Sequence, residues 1–234
     1  MDNELNFETY LFINNKKLII CVIQNTTRKI IYKEQMILDD SFDELKFKRL
    51  NDFFNKNIFK VEKILGNFVK NMNIIIESQD FFTFKLAVKK NNYDNVLTPN
   101  SLVYLLNDAK DQCNKSIDDK KIIHFLIDNY LIDNNSYSNL PLELKCKNFS
   151  LDLSFICLPK DIIEKIEELL KHYQISINQL LSADYVKKHC SEENFDFFNM
   201  AYKILNGYNK NEVKIVSKNS INKGFFEKFF NFFN

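Results

Sequence analysis

Glycine and proline are nearly absent from this chain. Its 234 residues include three of each, against usual shares of about 7% and 5%. Gly66, Gly207 and Gly224 stand far apart. Phosphate-cradling loops need glycine so that backbone N–H groups can approach the anion. No G-x-G-x-x-G or G-x-x-x-x-G-K-[ST] pattern occurs, which argues against nucleotide chemistry on any common loop. Tryptophan is missing altogether, and so is an excess of either charge: 32 Lys+Arg against 31 Asp+Glu leave +1. Nucleic-acid binders usually have a basic excess, so that partner is not expected. Cys21, Cys113, Cys146, Cys157 and Cys190 form no C-x-x-C pair. Their odd number and irregular spacing fit reduced thiols in a cytoplasmic protein. No apolar run approaches the roughly 18 residues of a spanning helix. The start, Met1-Asp2-Asn3-Glu4, is acidic where a signal peptide is basic. A soluble or peripheral protein is expected, not an integral one.

What is present suffices for a core, since 45% of residues are hydrophobic. Strands are expected at 10–12, 18–23 and 29–36, the second bounded by Asn14-Asn15-Lys16-Lys17 and by Asn25-Thr26-Thr27. A long helix is expected over 42–72. Its apolar residues, among them Leu50, Phe53, Phe54, Val61 and Leu65, recur every three or four positions, with 55–57 its weakest stretch. Strands follow at 73–77 and 81–88. Thr98 and Pro99 are a helix start, cap and first helical residue, with Leu102, Leu105, Leu106, Ala109 and Cys113 on one face. Then come a strand over 121–132, a polar loop at 134–139, a strand at 149–158 and a helix from Pro159 to about Tyr173. An extended segment at 175–183, a helix near 195–205 and a strand at 212–216 complete the pattern. Meander-like strands mixed with helices indicate α+β rather than a doubly wound parallel sheet.

Few residues suggest chemistry. His124 lies inside an expected strand, where a hydrogen-bonded structural role outweighs catalysis, and His172 and His189 are similar. His189-Cys190 has no second ligand pair at a zinc-like spacing. Asp39-Asp40, Asp118-Asp119 and Glu192-Glu193 sit in turn-like regions and read as solvated acids. Lys16-Lys17, Lys89-Lys90 and Lys187-Lys188 are short and scattered. No catalytic, metal-binding or cofactor-binding residue is assigned, and no enzyme activity is expected.

The C-terminal residues are more distinctive. Projected at 100° per residue, Phe225, Phe226, Phe229, Phe230, Phe232 and Phe233 fall within an arc of roughly 160°. Glu227, Asn231 and Asn234 fill the other side, with Lys223 there and Lys228 near the arc's edge. An aromatic face with flanking lysines is the composition of an interfacial helix on an anionic membrane. Lys223, Phe225, Phe226, Lys228, Phe229, Phe230, Phe232 and Phe233 are the expected membrane-binding residues, joined to the rest by a polar linker at 217–223. The competing reading is a helix packed on the protein's own core.

One stretch resembles a known family. Within 121–133, Lys-Ile-Ile-His-Phe-Leu-Ile-Asp-Asn-Tyr-Leu-Ile-Asp, the residues His124, Tyr130 and Asp133 fit the H-x-x-P-x-x-Y-x-x-D element of FtsA, the actin-like cell-division protein. Ile127 stands where that family usually has proline. The preceding helix, beginning Leu97-Thr98-Pro99, is similar to the family's T-x-x-D-[IV] helix. Residues 149–157 resemble the strand that follows its G-M-x-G-x-x-L turn, whose glycines are absent here. Ser182-Ala183 is the trace of its L-x-x-L-A-S-A segment. Together, residues 73–183 resemble the inserted SHS2, or 1C, subdomain of FtsA, and more distantly PilM. Both glycine loops of the family are missing, D-x-G-[ST]-x-K near residues 12–20 and D-x-G-x-x-x-T-D after Ala183. Lys223-Gly-Phe-Phe226 matches the start of the family's terminal amphipathic helix.

The resemblance implies a partial actin-like lobe over 1–72 and 159–216 and an SHS2-like subdomain at 73–158. A linker at 217–223 and a membrane-targeting helix at 224–234 would follow. It implies a truncated, degenerate FtsA-like adaptor without a cofactor, its ATP site lost, peripheral to the inner face of the cell membrane. Its partners would be division proteins, itself or FtsA/FtsZ-like ones, and the anionic membrane surface. A residual actin-like ATP-binding protein and a soluble SHS2 or PilM-like interaction module are the alternatives.

Overall fold

Two apolar runs separated by four polar residues make the first hairpin. A computed structural model of the chain describes residues 7–38, 44–141, 144–190 and 196–214. In chain order the first elements are β1 (Phe7–Ile13), β2 (Lys17–Gln24), β3 (Ile30–Ile37), α1 (Glu44–Leu65) and β4 (Asn71–Ile76). Then follow β5 (Phe82–Val96), α2 (Pro99–Ser116), β6 (Lys120–Ile132), β7 (Asn135–Tyr137) and β8 (Lys145–Pro159). The last are α3 (Lys160–His172), β9 (Ser176–Ser182), α4 (Ala183–His189) and α5 (Phe197–Leu205). The chain divides into two compact units, one drawn from Met1–Phe81 and Pro159–Tyr208, the other from Phe82–Leu158 and Asn209–Asn234.

The first unit has a mixed sheet in the order β3-β2-β1-β4-β9. β1, β2 and β3 form an antiparallel meander, while β4 runs parallel to β1 and β9 parallel to β4. Tyr10 to Ile13 and Leu18 to Ile23 are all buried, so both faces of these strands need a cover. One cover is α5: Phe198 meets Tyr10 at 6.0 Å and Phe197 meets Phe12 at 5.6 Å between ring centroids. Lys33 of β3 reaches Asp196, the N-cap of α5, at 3.0 Å. Its neighbour Tyr32 points to the other face by strand alternation and gives its hydroxyl to Asn57 of α1 at 2.8 Å. Tyr173, the C-cap of α3, donates to the Asn51 side chain of α1 at 2.8 Å, and α3 buries Ile163, Ile166, Leu169 and Leu170.

The second unit has a four-stranded sheet, β5-β8-β6-β7. Helix α2 supplies Leu102, Leu105, Leu106, Ala109 and Cys113 to a core shared with Val88, Phe125, Ile127, Leu151, Leu153 and Phe155. Phe125 and Phe155 stack at 4.3 Å. Residues after Asn209 return to this unit: Leu126 bridges Glu212 antiparallel, and Val213 joins the core. All five cysteines are buried and free of disulfides. Burial pushes the Cys157 thiol up to about 12.

The architecture is the expected α+β one, with differences that have local causes. The helix expected to reach residue 72 ends at Leu65, because Gly66 adopts φ 65, the left-handed conformation that stops a helix. Asn57 does not interrupt α1, since its side-chain amide bonds the Phe53 carbonyl at 2.8 Å. The expected boundary at residue 73 falls inside β4, which belongs to the first sheet. The expected loop at 134–139 contains β7, formed by a two-residue turn in which Asp133 and Asn134 have φ 45 and 70. At 212–216 the described residues show one bridge at Glu212 rather than a strand. Asp39-Asp40, Glu192-Glu193, the linker and the terminal phenylalanine helix lie outside the described residues.

Truncating Phe155, which is fully buried, is expected to cost about 3–5 kcal/mol. Urea denaturation of Phe155→Ala against the parent checks this, and a loss under about 1 kcal/mol would show that this core is loosely packed.

Candidate functional site

The β1–β2 turn lies where the sequence resemblance implies a missing glycine loop. β1 and β4 are parallel neighbours, so their C-terminal ends lie side by side. In open sheets of this kind ligands sit outside the carboxyl ends of parallel strands. The Glu77 N–H donates to the Ile13 carbonyl at 2.9 Å and extends the pairing by one residue. Asn14 and Glu77 therefore face each other beyond the strand ends, and the Asn14 amide donates to Glu77 Oε2 at 2.6 Å.

The turn is closed by its own side chain. Asn14 Oδ1 accepts from the N–H groups of Lys16 at 2.9 Å and Lys17 at 2.7 Å. The Asn14 N–H donates to the Lys17 carbonyl at 3.1 Å. None of residues 14–17 has a positive φ, so no glycine is required. The amides that would face an anion are occupied from within, and a carboxylate stands beside them. Lys187 of α4 closes the cluster with an ion pair to Glu77 Oε1 and lies 3.9 Å from Asp184. The Asn14 amide, then Lys187, hold the Glu77 carboxyl below its usual range.

The second expected loop position is occupied by α4. Ser182, buried at the end of β9, caps this helix, its side chain accepting from the Tyr185 N–H at 3.4 Å. Ala183 is fully buried as the first helical residue. These two motif residues thus act in capping and packing.

His124, Tyr130 and Asp133 all lie along β6 and its turn. His124 is 1% exposed, and its Nδ1 bonds Glu212 Oε1 at 2.7 Å. Glu212 Oε2 is buried without a hydrogen-bond partner. The pair fastens the returning segment to the sheet, together with Ile127 N–H to Asn211 carbonyl at 2.9 Å and Val213 N–H to Phe125 carbonyl at 2.8 Å. Tyr130 is a core residue, 5% exposed. The Asp133 carboxylate accepts from the N–H of Asn148 at 2.8 Å and of Lys147 at 3.1 Å, which lowers its pKa and locks the β6–β7 turn to β8. His124, expected as a hydrogen-bonded strand residue, makes such a bond to Glu212. The Asn14–Glu77–Lys187 cluster was not legible, because its members lie 63 and 110 residues apart. Among the described residues no group of three His, Cys, Asp or Glu side chains could hold a metal ion. No described helix is long and apolar enough to cross a membrane.

A meander that runs into parallel strands, with a second sheet inserted between β4 and β9, defines an α+β fold of the actin-like kind. Solved structures of low sequence identity are similar to the chain. The chain is similar to the PilM–PilN type IV pilus biogenesis complex, with a TM-score of 0.52 at 8% identity, covering 79% of this chain and 50% of that one. It also matches cyto-EpsL, the cytoplasmic domain of an inner membrane component of the Vibrio cholerae type II secretion system. That match has a TM-score of 0.38 at 11% identity, covering 77% of this chain and 57% of the other. A Bacteroides thetaiotaomicron protein with an actin-like ATPase fold and unknown function matches with a TM-score of 0.35 at 10% identity, covering 81% and 60%. The chain thus spans between half and 60% of these structures' length. No family model matches it, and no curated protein does.

Because the folded-state pKa of Glu77 is lowered, its contribution to stability is present above the ordinary value of 4.5 and is lost as pH falls below it. Thermal melts of the parent and Glu77→Gln are expected to differ at neutral pH and to converge in acid. A constant difference across that range would show that the ion pair and amide bond leave the carboxyl unperturbed.

Proposed function

We propose that this chain is a non-catalytic adaptor built on an actin-like lobe, held at a membrane surface by its C-terminal helix and meeting protein partners through its inserted second unit. The observation that carries the reading is the closed β1–β2 turn. Asn14 fills the amides that a phosphate would need, and Glu77 adds a negative charge beside them. ATP binding is accordingly not part of the proposed activity. The membrane part rests on the aromatic face of residues 225–233. Fully burying one Phe is worth up to about 3 kcal/mol, and seating in a membrane interface is partial. One such helix binds reversibly, and self-association would strengthen it through avidity.

The process proposed is bacterial cell division, with the adaptor on the cytoplasmic side of the inner membrane and partners that are copies of itself or FtsA/FtsZ-like proteins. The His124, Tyr130 and Asp133 pattern supports it. A second reading, a PilM-like assembly module, is favoured by the likeness to the PilM–PilN complex. A fluorescent fusion in the native cell separates them: a band at the division site is expected, and its absence during constriction would rule out the division role.

Two further measurements test the biochemical core of the proposal. A nucleotide present at a hundred times its Kd stabilises a protein by about 2.7 kcal/mol. The melting temperature is expected to be the same with and without Mg-ATP, and an upward shift of about 5 °C would refute the closed-turn argument. In vesicle co-sedimentation, Phe229→Asp is expected to weaken binding without changing the circular dichroism spectrum. Unfolding of that variant would mean the terminal helix belongs to the core.

A further inference from the structure

Helix α1 has two faces of different character. Leu50, Phe53, Phe54 and Val61 point into the first unit and are buried. At 100° per residue, Lys56, Phe59, Lys60 and Lys63 fall on the outer side within an arc of about 100°. All four are exposed, and Phe59 is 71% exposed. Gly66 then turns the chain at φ 65, and Glu62 accepts from the Val69 N–H at 3.2 Å, which holds the return beside the Phe59 flank. That return presents Phe68, 78% exposed, and Lys70. Ile64 is 45% exposed. Between Asn55 and Lys70 the only carboxylate is Glu62, which is half-buried. Among the described residues none of Lys56, Lys60, Lys63 and Lys70 makes an ion pair.

Lysines alone on a helix would be an ordinary solvated face. The exposed aromatic rings set this one apart. Large apolar side chains grouped in the open are the informative departure from normal burial. The whole chain is nearly neutral at +1, so this positive charge is local segregation and not a share of a general excess. Lysines reaching lipid headgroups beside phenylalanine rings seated at the acyl boundary is what an interfacial contact requires. The chemistry fits a nucleic acid less well. The exposed cations are lysines, which do not read phosphates in bidentate fashion.

We infer that the outer face of α1, with the return to Lys70, is a contact surface for an anionic lipid bilayer. It belongs to the folded first unit and does not depend on the C-terminal helix.

The test uses full-length protein and vesicles of phosphatidylcholine with or without phosphatidylglycerol, at low and at physiological salt. The variants are Phe229→Asp, the triple change Lys56→Gln, Lys60→Gln and Lys63→Gln, Phe59→Ser, and Phe229→Asp combined with the triple. All α1 positions changed are exposed, and circular dichroism melts are expected to be unaltered. Phe229→Asp is expected to keep a salt-sensitive binding to anionic vesicles that the combination loses. The triple alone is expected to lower partitioning at least about tenfold, with a smaller loss for Phe59→Ser. If the triple and Phe59→Ser bind as the parent does, the α1 surface is refuted while the terminal-helix reading stands. If Phe229→Asp already abolishes all binding, the α1 surface is refuted as an independent contact. If the parent ignores anionic vesicles, both membrane readings fall. If instead the triple loses binding to a mixed-sequence oligonucleotide and not to vesicles, the occupant is nucleic acid and the inference is wrong.

Discussion

β1 is hydrogen-bonded along both edges, to β2 and to β4, and its second half is buried on both faces. A strand in that position cannot meet water anywhere, so helices must cover both faces. Phe197 and Phe198 of α5 fill one side of β1, and α1 packs on the opposite side of the sheet over β2 and β3, where Tyr32 reaches Asn57. The parallel register with β4 brings two strand ends together and so fixes Asn14 beside Glu77. The same requirement makes α1 the long return from the meander to β4. Its inner residues are consumed by the sheet, and its outer residues are left to whatever the surroundings supply.

Much of this plan can be read from the chain, because burial on both faces writes continuous apolar runs. Leu18 to Ile23 and Ile74 to Ile76 are such runs, and the helices α2 and α3 show their buried faces at the usual spacing. The failures occur where one residue decides a conformation. Gly66 stops α1 seven residues before the periodicity would, and the Asp133-Asn134 pair makes a hairpin inside a stretch that composition marks as loop. The segment after Ala183 lacks a long enough apolar pattern to announce a seven-residue helix. The polar clusters were the least legible, since Asn14 finds Glu77 and His124 finds Glu212 only after the sheets have assembled.

The scarcity of glycine has a structural counterpart. The turn after β1 is closed by an asparagine side chain, and the helix after β9 is capped by a serine. A side chain that satisfies its own backbone makes a rigid corner from ordinary residues, at the cost of the open N–H groups that a glycine loop exposes. The sheet order does not depend on such loops, because the strands are specified by burial and the turns only need to close.

The segment that returns to β6 has a mechanical consequence. Phe125, Ile127 and His124 hold residues 211–213 through two backbone bonds and a buried side-chain pair. Any pull on the chain beyond Lys214 meets this clamp before it can reach α5. Tension from that end is thus taken up by the second sheet, and the 206–210 segment leading back to α5 is relieved of it until the clamp gives way.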